Sequence, residues 1–404
     1  MFFKKIINTD IKILLMPLLL LIVMEVVIGG GGHFTAIGNF TLRMAMYLLS
    51  IPIAIVYILV DKKLPKYVLM LTSIFTFLLI LATVIALINQ AETEMILEDI
   101  KQLLFFYTLL FFSITIVTLK DIEKVTNIVK YSSLILAFCY VIFILLLYFG
   151  FIDFMAMYTY LEPIGEIKFR GTGYFIYKGF LFLCIGFLFF VVSNKKNSIL
   201  FALFLFTSVI LTFTRGFVLA TIFVFAIHLI FINRNKLLSI VILALGVVLI
   251  AIVLPFYLDS LGNKFESDII RVIQIEQVLE RTDLSNFFIG HGFGTGVEIR
   301  KDHFEISYLE IFAKQGIIGL MFWFAIGLYI LIMFLNLRQT KEYFTIAIPF
   351  FLGTVFIFLQ SFTNPYLNNA IGMSFILLTV VIFNRLNELA KNEGKVISNP
   401  KNKS

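Results

Sequence analysis

Residues 197–233 read NSILFALFLFTSVILTFTRGFVLATIFVFAIHLIFIN and carry one charge, Arg215. These 37 residues lie between Lys196 and Arg234. As helix they would reach roughly 55 Å, at about 1.5 Å per residue. A bilayer's hydrocarbon core is about 30 Å thick, so the length suits two crossings. Thr214-Arg215-Gly216 is the natural place for the turn between them. Backbone in lipid must satisfy its own hydrogen bonds, so both crossings are expected to be helices.

The same pattern fills the rest of the chain. Of its 404 residues 60% are hydrophobic and 48 are Phe, against 14% charged. A soluble domain is nearer half apolar and a quarter charged. Twelve apolar runs are each about long enough to span. They fall near 11–29, 40–60, 66–88, 101–119, 130–150, 173–193, 197–214, 216–233, 237–256, 306–335, 344–362 and 369–384. The expected fold is all-α, a polytopic integral membrane protein of about twelve transmembrane helices. It forms a single transmembrane domain over residues 1–390, with a disordered cytoplasmic tail over 391–404. Met1–Gly32 lacks a small-residue cleavage site and reads as a first span rather than a cleaved signal. Cys139 and Cys184 both fall within spans and say little about redox compartment.

Orientation follows from Lys and Arg. With a cytoplasmic N-terminus, 20 of the 32 basic residues fall on inside segments, and every inside segment holds at least two. An even number of spans then places both basic termini in the cytoplasm. The net charge of +7 therefore records topology and gives no reason to invoke nucleic acid.

The outer face is uneven. Most connections are short, as helical bundles favour, but residues 257–305 form a long loop without a span, and 151–172 a shorter one. Within the long loop Ile269, Val272, Ile273 and Leu279 recur at helical spacing, with Arg271, Glu276 and Glu280 between them. That pattern predicts a helix lying on the membrane surface or capping the bundle. Further along, Gly290-His291-Gly292-Phe293-Gly294-Thr295-Gly296 fails the dinucleotide fingerprint, because its third glycine position is Thr295 and no strand-helix context surrounds it. Gly290, Gly292 and Gly294 instead suit a tight turn with positive φ angles. Contact with a ligand phosphate stays open as an alternative.

Arg170, Arg215 and Arg271 lie in three separate outward segments, each near a span boundary, against the usual bias of basic residues. Guanidinium forks match phosphate oxygens, so convergence there would suit a lipid-linked diphosphate. The plainer reading pairs each with an outer carboxylate such as Glu162, Glu166 or Glu266. Acid/base candidates are few. His33, His291 and His303 face outward, and His303 stands in Asp302-His303-Phe304-Glu305, where a base could take a proton from a sugar hydroxyl. The spacing of Asp302, His303 and Glu305 is no recognised metal motif, and a solvated charge cluster is the bland alternative. Glu25 is an intramembrane charge with no obvious partner in sequence.

These features resemble the superfamily of O-antigen polymerases and O-antigen ligases. The resemblance is strongest over 287–320, where Ile289-Gly290-His291-Gly292-Phe293-Gly294 is similar to the family's glycine-rich turn. Tyr308-Leu309-Glu310-Ile311 and Gly316-Ile317-Ile318-Gly319-Leu320 follow it. Leu211-Thr212-Phe213-Thr214-Arg215-Gly216 is similar to the family's Thr-x-Ser-Arg-Gly segment, with Thr214 in place of Ser. Arg170-Gly171-Thr172-Gly173-Tyr174 is similar to an Arg-x-x-Gly element opening a span, and Arg271 falls where such proteins carry a loop arginine. One departure favours the polymerases: where ligases typically place a histidine, eleven residues before the Gly316 glycine, this chain has Glu305, and His303 lies two residues earlier.

The resemblance implies an inverting glycosyltransferase in the bacterial inner membrane, with its active face periplasmic. It would join undecaprenyl-diphosphate-linked oligosaccharides into O-antigen or capsular polysaccharide, without a metal, a nucleotide sugar or another cofactor. Arg170, Arg215 and Arg271 would hold the diphosphate, with Arg215 also catalytic, and His303 or Glu305 would accept the hydroxyl proton. Membrane lipids, a chain-length regulator and a flippase are the implied partners. A ligase would use the same donor with a lipid A-core or protein acceptor. A flippase or transporter would explain the helices without catalysis, yet the two halves show none of the internal similarity common in transporters.

Overall fold

The computed structural model describes residues 2–32, 41–61, 64–162, 165–170, 174–193, 195–232, 236–237, 239–241, 265–301 and 304–398. Among them, seven helices are long and apolar enough to cross a membrane: Leu42–Val60, Lys66–Ile88, Leu119–Tyr148, Arg215–Ile232, Ser307–Gln339, Lys341–Gln360 and Ala370–Glu393. Three shorter apolar helices accompany them, Leu15–Ile28, Lys178–Val191 and Ser198–Leu211. The chain is thus a polytopic helical membrane protein.

The layering follows from where the apolar surface goes. Leu181–Val191 is buried on every side from Leu181 to Phe190, and Ala370–Ser398 is buried almost continuously from Ile371 to Phe383. A helix that is apolar all round belongs in a core, and these two form it. Lys341–Gln360 packs on both, with Phe189, Phe350 and Phe375 meeting ring to ring. Helices farther out keep one apolar face exposed, as at Leu48, Leu49, Ile55, Val56 and Leu59, the surface a bilayer would cover. Leu119–Tyr148 starts at a reciprocal cap, in which the Thr118 side chain accepts from Asp121 N and Asp121 accepts from Thr118 N. That arrangement satisfies two otherwise unpaired backbone donors.

The run at 101–119 departs from a single straight span. It is divided into the Thr93–Leu103 helix, a 3₁₀ turn over Leu104–Tyr107 and the Thr108–Thr115 helix. The first of these carries Glu94, Glu98, Asp99 and Lys101, too much charge to cross lipid alone. The run at 237–256 lies almost wholly outside the described residues, as do residues 257–264 of the long loop and residues 399–404 of the tail. A two-stranded antiparallel hairpin, Ile167–Arg170 with Tyr174–Tyr177, was no part of the all-helical expectation; its register pairs Arg170 with Tyr174.

Hydrogen bonds gather one end of the bundle. Tyr177 Oη donates to Ile28 O, Tyr366 Oη to Lys178 O, Gln360 Nε2 to Gly216 O and Ser307 N to Ser361 O. Asn89 Nδ2 reaches His291 O at this same end. Glu25 gains the partner that its sequence context lacked: Arg43 Nε lies 2.6 Å from Glu25 Oε2, both side chains buried. Arg43 also donates to the carbonyl of Gly30. The arginine thereby fastens the start of the Leu42–Val60 helix to the end of the Leu15–Ile28 helix.

Candidate functional site

The Phe265–Arg281 helix supplies the first part of the site. Arg271 and Gln274 turn toward the rest of the protein, while Ile269, Val272, Ile275 and Leu279 are exposed. Side chains fasten this helix to the segment that follows the glycine run. Gln274 Oε1 accepts from Glu305 N, Gln277 Oε1 from Ile299 N, and Arg281 donates to Gly296 O. The apolar positions singled out in sequence do lie on one helix, and most of them face outward.

Along its polar side runs a chain of alternating charges. Arg215 Nη2, at the start of the Arg215–Ile227 helix, is 3.8 Å from Asp268 Oδ2. Asp268 Oδ1 accepts from Arg271 Nη1 at 3.0 Å. Arg271 Nε is 3.1 Å from Glu305 Oε2, close enough for an ion pair although its N–H is not aimed for a hydrogen bond. Glu305 Oε1 in turn accepts from Arg300 Nη2 at 2.8 Å. The order is Arg215, Asp268, Arg271, Glu305, Arg300: three cations and two anions.

Three of the sequence-derived site residues, Arg215, Arg271 and Glu305, therefore meet. Their partners differ from the carboxylates expected. Glu162 accepts from Tyr158 Oη, and Glu166 accepts from Gly31 N with Lys178 Nζ 4.0 Å away. Asp268 and Glu305 take the arginines instead, because the Phe265–Arg281 helix sets Asp268 and Arg271 one turn apart on the same side. The backbone of Arg170 ends the first hairpin strand; its side chain, like that of Glu266, lies outside what is described. Asp302, His303 and His33 also lie outside the described residues.

The glycine run behaves as a structural clasp. Gly290, Gly292 and Gly294 have φ of 75°, 87° and 70°. His291 N donates to Ala313 O and Gly292 N to Lys314 O. Those carbonyls stand just ahead of Gly316, where the Ser307–Asn336 helix kinks (φ 65°, ψ −167°). A Cβ on Gly290 would strike the Lys314 carbonyl carbon, and one on Gly316 the carbonyl of Phe288. Only glycine permits both the dihedral angles and this approach. Burial, aided by Arg281, lowers the pKa of His291 from 6.5. Its Nε2 is buried without a partner among the described residues.

Under the clasp sits a constellation that sequence reading missed. Lys314 Nζ is 2.7 Å from both Asp99 Oδ1 and Glu310 Oε1, and all three side chains are at most 7% exposed. Asp99 Oδ2 accepts from Gly294 N, and Glu310 Oε2 from Asn368 Nδ2. The triad borders a cavity of about 20 Å³, room for about one water. Glu310 and Lys314 stand at the i,i+4 spacing of a helix ion pair, a signal available in sequence. Nothing local marks Asp99, 215 residues from Lys314. Arg300, five residues before Glu305, was equally open to notice.

No protein-family model matches the chain. An O-antigen polymerase from Shigella flexneri is 31% identical over 297 residues, covering 71% of this chain and 72% of that protein.

Proposed function

The chain belongs to the O-antigen polymerase family, and we propose that it extends glycan by joining repeat units carried on undecaprenyl diphosphate. The observation that carries this reading is the convergence of Arg215 and Arg271, from segments more than fifty residues apart in sequence, on one line of charge with Glu305. Membership supports glycosyl transfer and O-antigen polymerisation. The lipid-linked donor, the inverting course and independence of metal are parts of the proposal.

In the proposed reaction a terminal sugar hydroxyl of one lipid-linked unit attacks the anomeric carbon of the glycan on a second. The bond from that carbon to the phosphate oxygen breaks, and its electron pair leaves with the diphosphate. The hydroxyl proton passes to Glu305 or His303. Arginines aimed at the leaving phosphates stabilise charge as it develops, and a fixed fork does so better than a point charge. Arg170 stands at a hairpin whose second strand joins the same end of the bundle through Tyr177, which supports a place for it beside the other two. Arg300 belongs with them, because it shares Glu305 with Arg271.

Glu305 lies between Arg271 and Arg300, and donor phosphates that draw Arg271 to themselves would uncover the Glu305 oxygen that Arg271 faces, leaving it open to the acceptor hydroxyl. We further propose about twelve spans: the seven long helices, the three shorter ones, the 237–256 run and the broken 101–119 run. In that arrangement both termini are cytoplasmic, the long loop lies on the periplasmic side, and a flippase and a chain-length regulator act alongside. Purified chain given undecaprenyl-diphosphate-linked repeat units tests the central part. A ladder of lengthened lipid-linked glycans is expected; transfer to a lipid A-core acceptor without any ladder would identify a ligase instead.

A further inference from the structure

Each of the two carboxylates in the charge line lies between two arginines. Asp268 bridges Arg215 and Arg271, and Glu305 bridges Arg271 and Arg300. A carboxylate offers two acceptor oxygens to a guanidinium fork, as a phosphate does, with less charge. The line thus holds two adjacent anion positions that share Arg271, the arrangement two linked phosphates would need. The positions differ in how firmly they are filled. Glu305 is 17% exposed, accepts from Arg300 and is backed by Gln274 through its own backbone N–H. Asp268 is 59% exposed, and its link to Arg215 is a 3.8 Å ion pair. Exposed pairs of that kind contribute little and are readily exchanged.

We infer that Asp268 is an internal occupant of the outer phosphate position, a carboxylate that the donor diphosphate displaces and that returns to help expel the diphosphate product. The inference rests on the diphosphate site proposed above and adds to it a residue that sets affinity and release. A site of arginines alone would hold a multiply charged product tightly, and binding product as firmly as the transition state does not speed turnover. A competing carboxylate on the first turn of an exposed helix weakens the ground-state grip while leaving the arginines in place. It also keeps Arg215 and Arg271 apart by less than their mutual repulsion would allow, so the forks stay arranged between turnovers.

The test uses the full chain in detergent, with inorganic pyrophosphate as the probe, and compares wild type, Asp268→Asn and Asp268→Glu, with Arg215→Lys as the control for the arginine site. Removing an exposed competing charge is expected to tighten pyrophosphate binding by about fivefold. Asp268→Glu, which keeps the charge, should stay near wild type. In chain extension Asp268→Asn should lower KM and kcat together, because product leaves more slowly; a purely structural role would not produce that split. Equal or weaker pyrophosphate binding by Asp268→Asn, alongside wild-type binding that Arg215→Lys weakens, overturns the role of Asp268 and leaves the arginine site standing. Absence of pyrophosphate binding in all three proteins would remove the arginine site, and with it this inference.

Discussion

Replacing Lys314 by Met is the sharpest test of how the clasp is held. Lys314 Nζ contacts Asp99 and Glu310 at 2.7 Å in surroundings almost closed to water. Methionine is close to lysine in length and apolar, so the change removes charge and hydrogen bonds with little loss of volume. Two buried carboxylates would then face each other without a cation. Breaking a buried pair by deleting one partner costs about 3–5 kcal/mol, mostly through the charge left behind. Asp99 also accepts from Gly294 N, so the glycine clasp should loosen and the segment leading to Glu305 with it. Lys314→Met is expected to melt well below wild type in detergent and to reach the membrane in reduced amount. The triple variant Asp99→Asn, Glu310→Gln, Lys314→Met should recover much of the loss, because neutral groups of the same shape carry no stranded charge. Lys314→Met with wild-type melting and abundance would refute the reasoning.

Glu305→Gln should lower chain extension by about 10²–10⁴ if the carboxylate is the base; should His303→Ala alone cause that fall, the base is the histidine. Single cysteines at Lys195 and Lys341 are expected to resist an impermeant thiol reagent on intact cells, while those at Glu94 and Glu298 react. Labelling at the first pair would invert the proposed topology. Gly316→Ala should destabilise by at least about 1–3 kcal/mol from its positive φ alone, read as a lower melting temperature, with the approach of the Phe288 carbonyl adding to it.

How far the sequence could be read depended on range. Continuous apolar runs specify spanning helices without reference to any distant residue, so the Leu42–Asp61, Lys66–Ile88 and Lys341–Gln360 helices coincide closely with runs seen in sequence, whereas the Leu119–Tyr148 helix begins well before the 130–150 run. The 101–119 run misled because its hydropathy conceals a 3₁₀ break and a charged approach helix, where Asp99 is taken up by Lys314 far away in the chain. The hairpin at 167–177 is too short for its four-residue strands to leave a period. In the site, Arg215 and Arg271 were visible because outward arginines oppose the membrane charge bias. Asp268 escaped notice although it stands three residues before Arg271, since a lone acid on an exposed helix face is ordinary until the partner from residue 215 is placed beside it. Arg43 was legible as a residue and not as the partner of Glu25, which needs the packing of two spans to be known.

The central claim is that arginines grip a diphosphate on the outward end of the bundle while glycan is passed between carriers. A chain-extension assay with purified lipid-linked repeat units, comparing wild type with Arg215→Lys and Arg271→Lys, measures it most directly. Lysine preserves charge and loses the fork, and both side chains are partly exposed, so each variant should fold and reach the membrane in normal amount. The account predicts that both leave single units unextended. A full-length ladder from the protein carrying both lysines would contradict it.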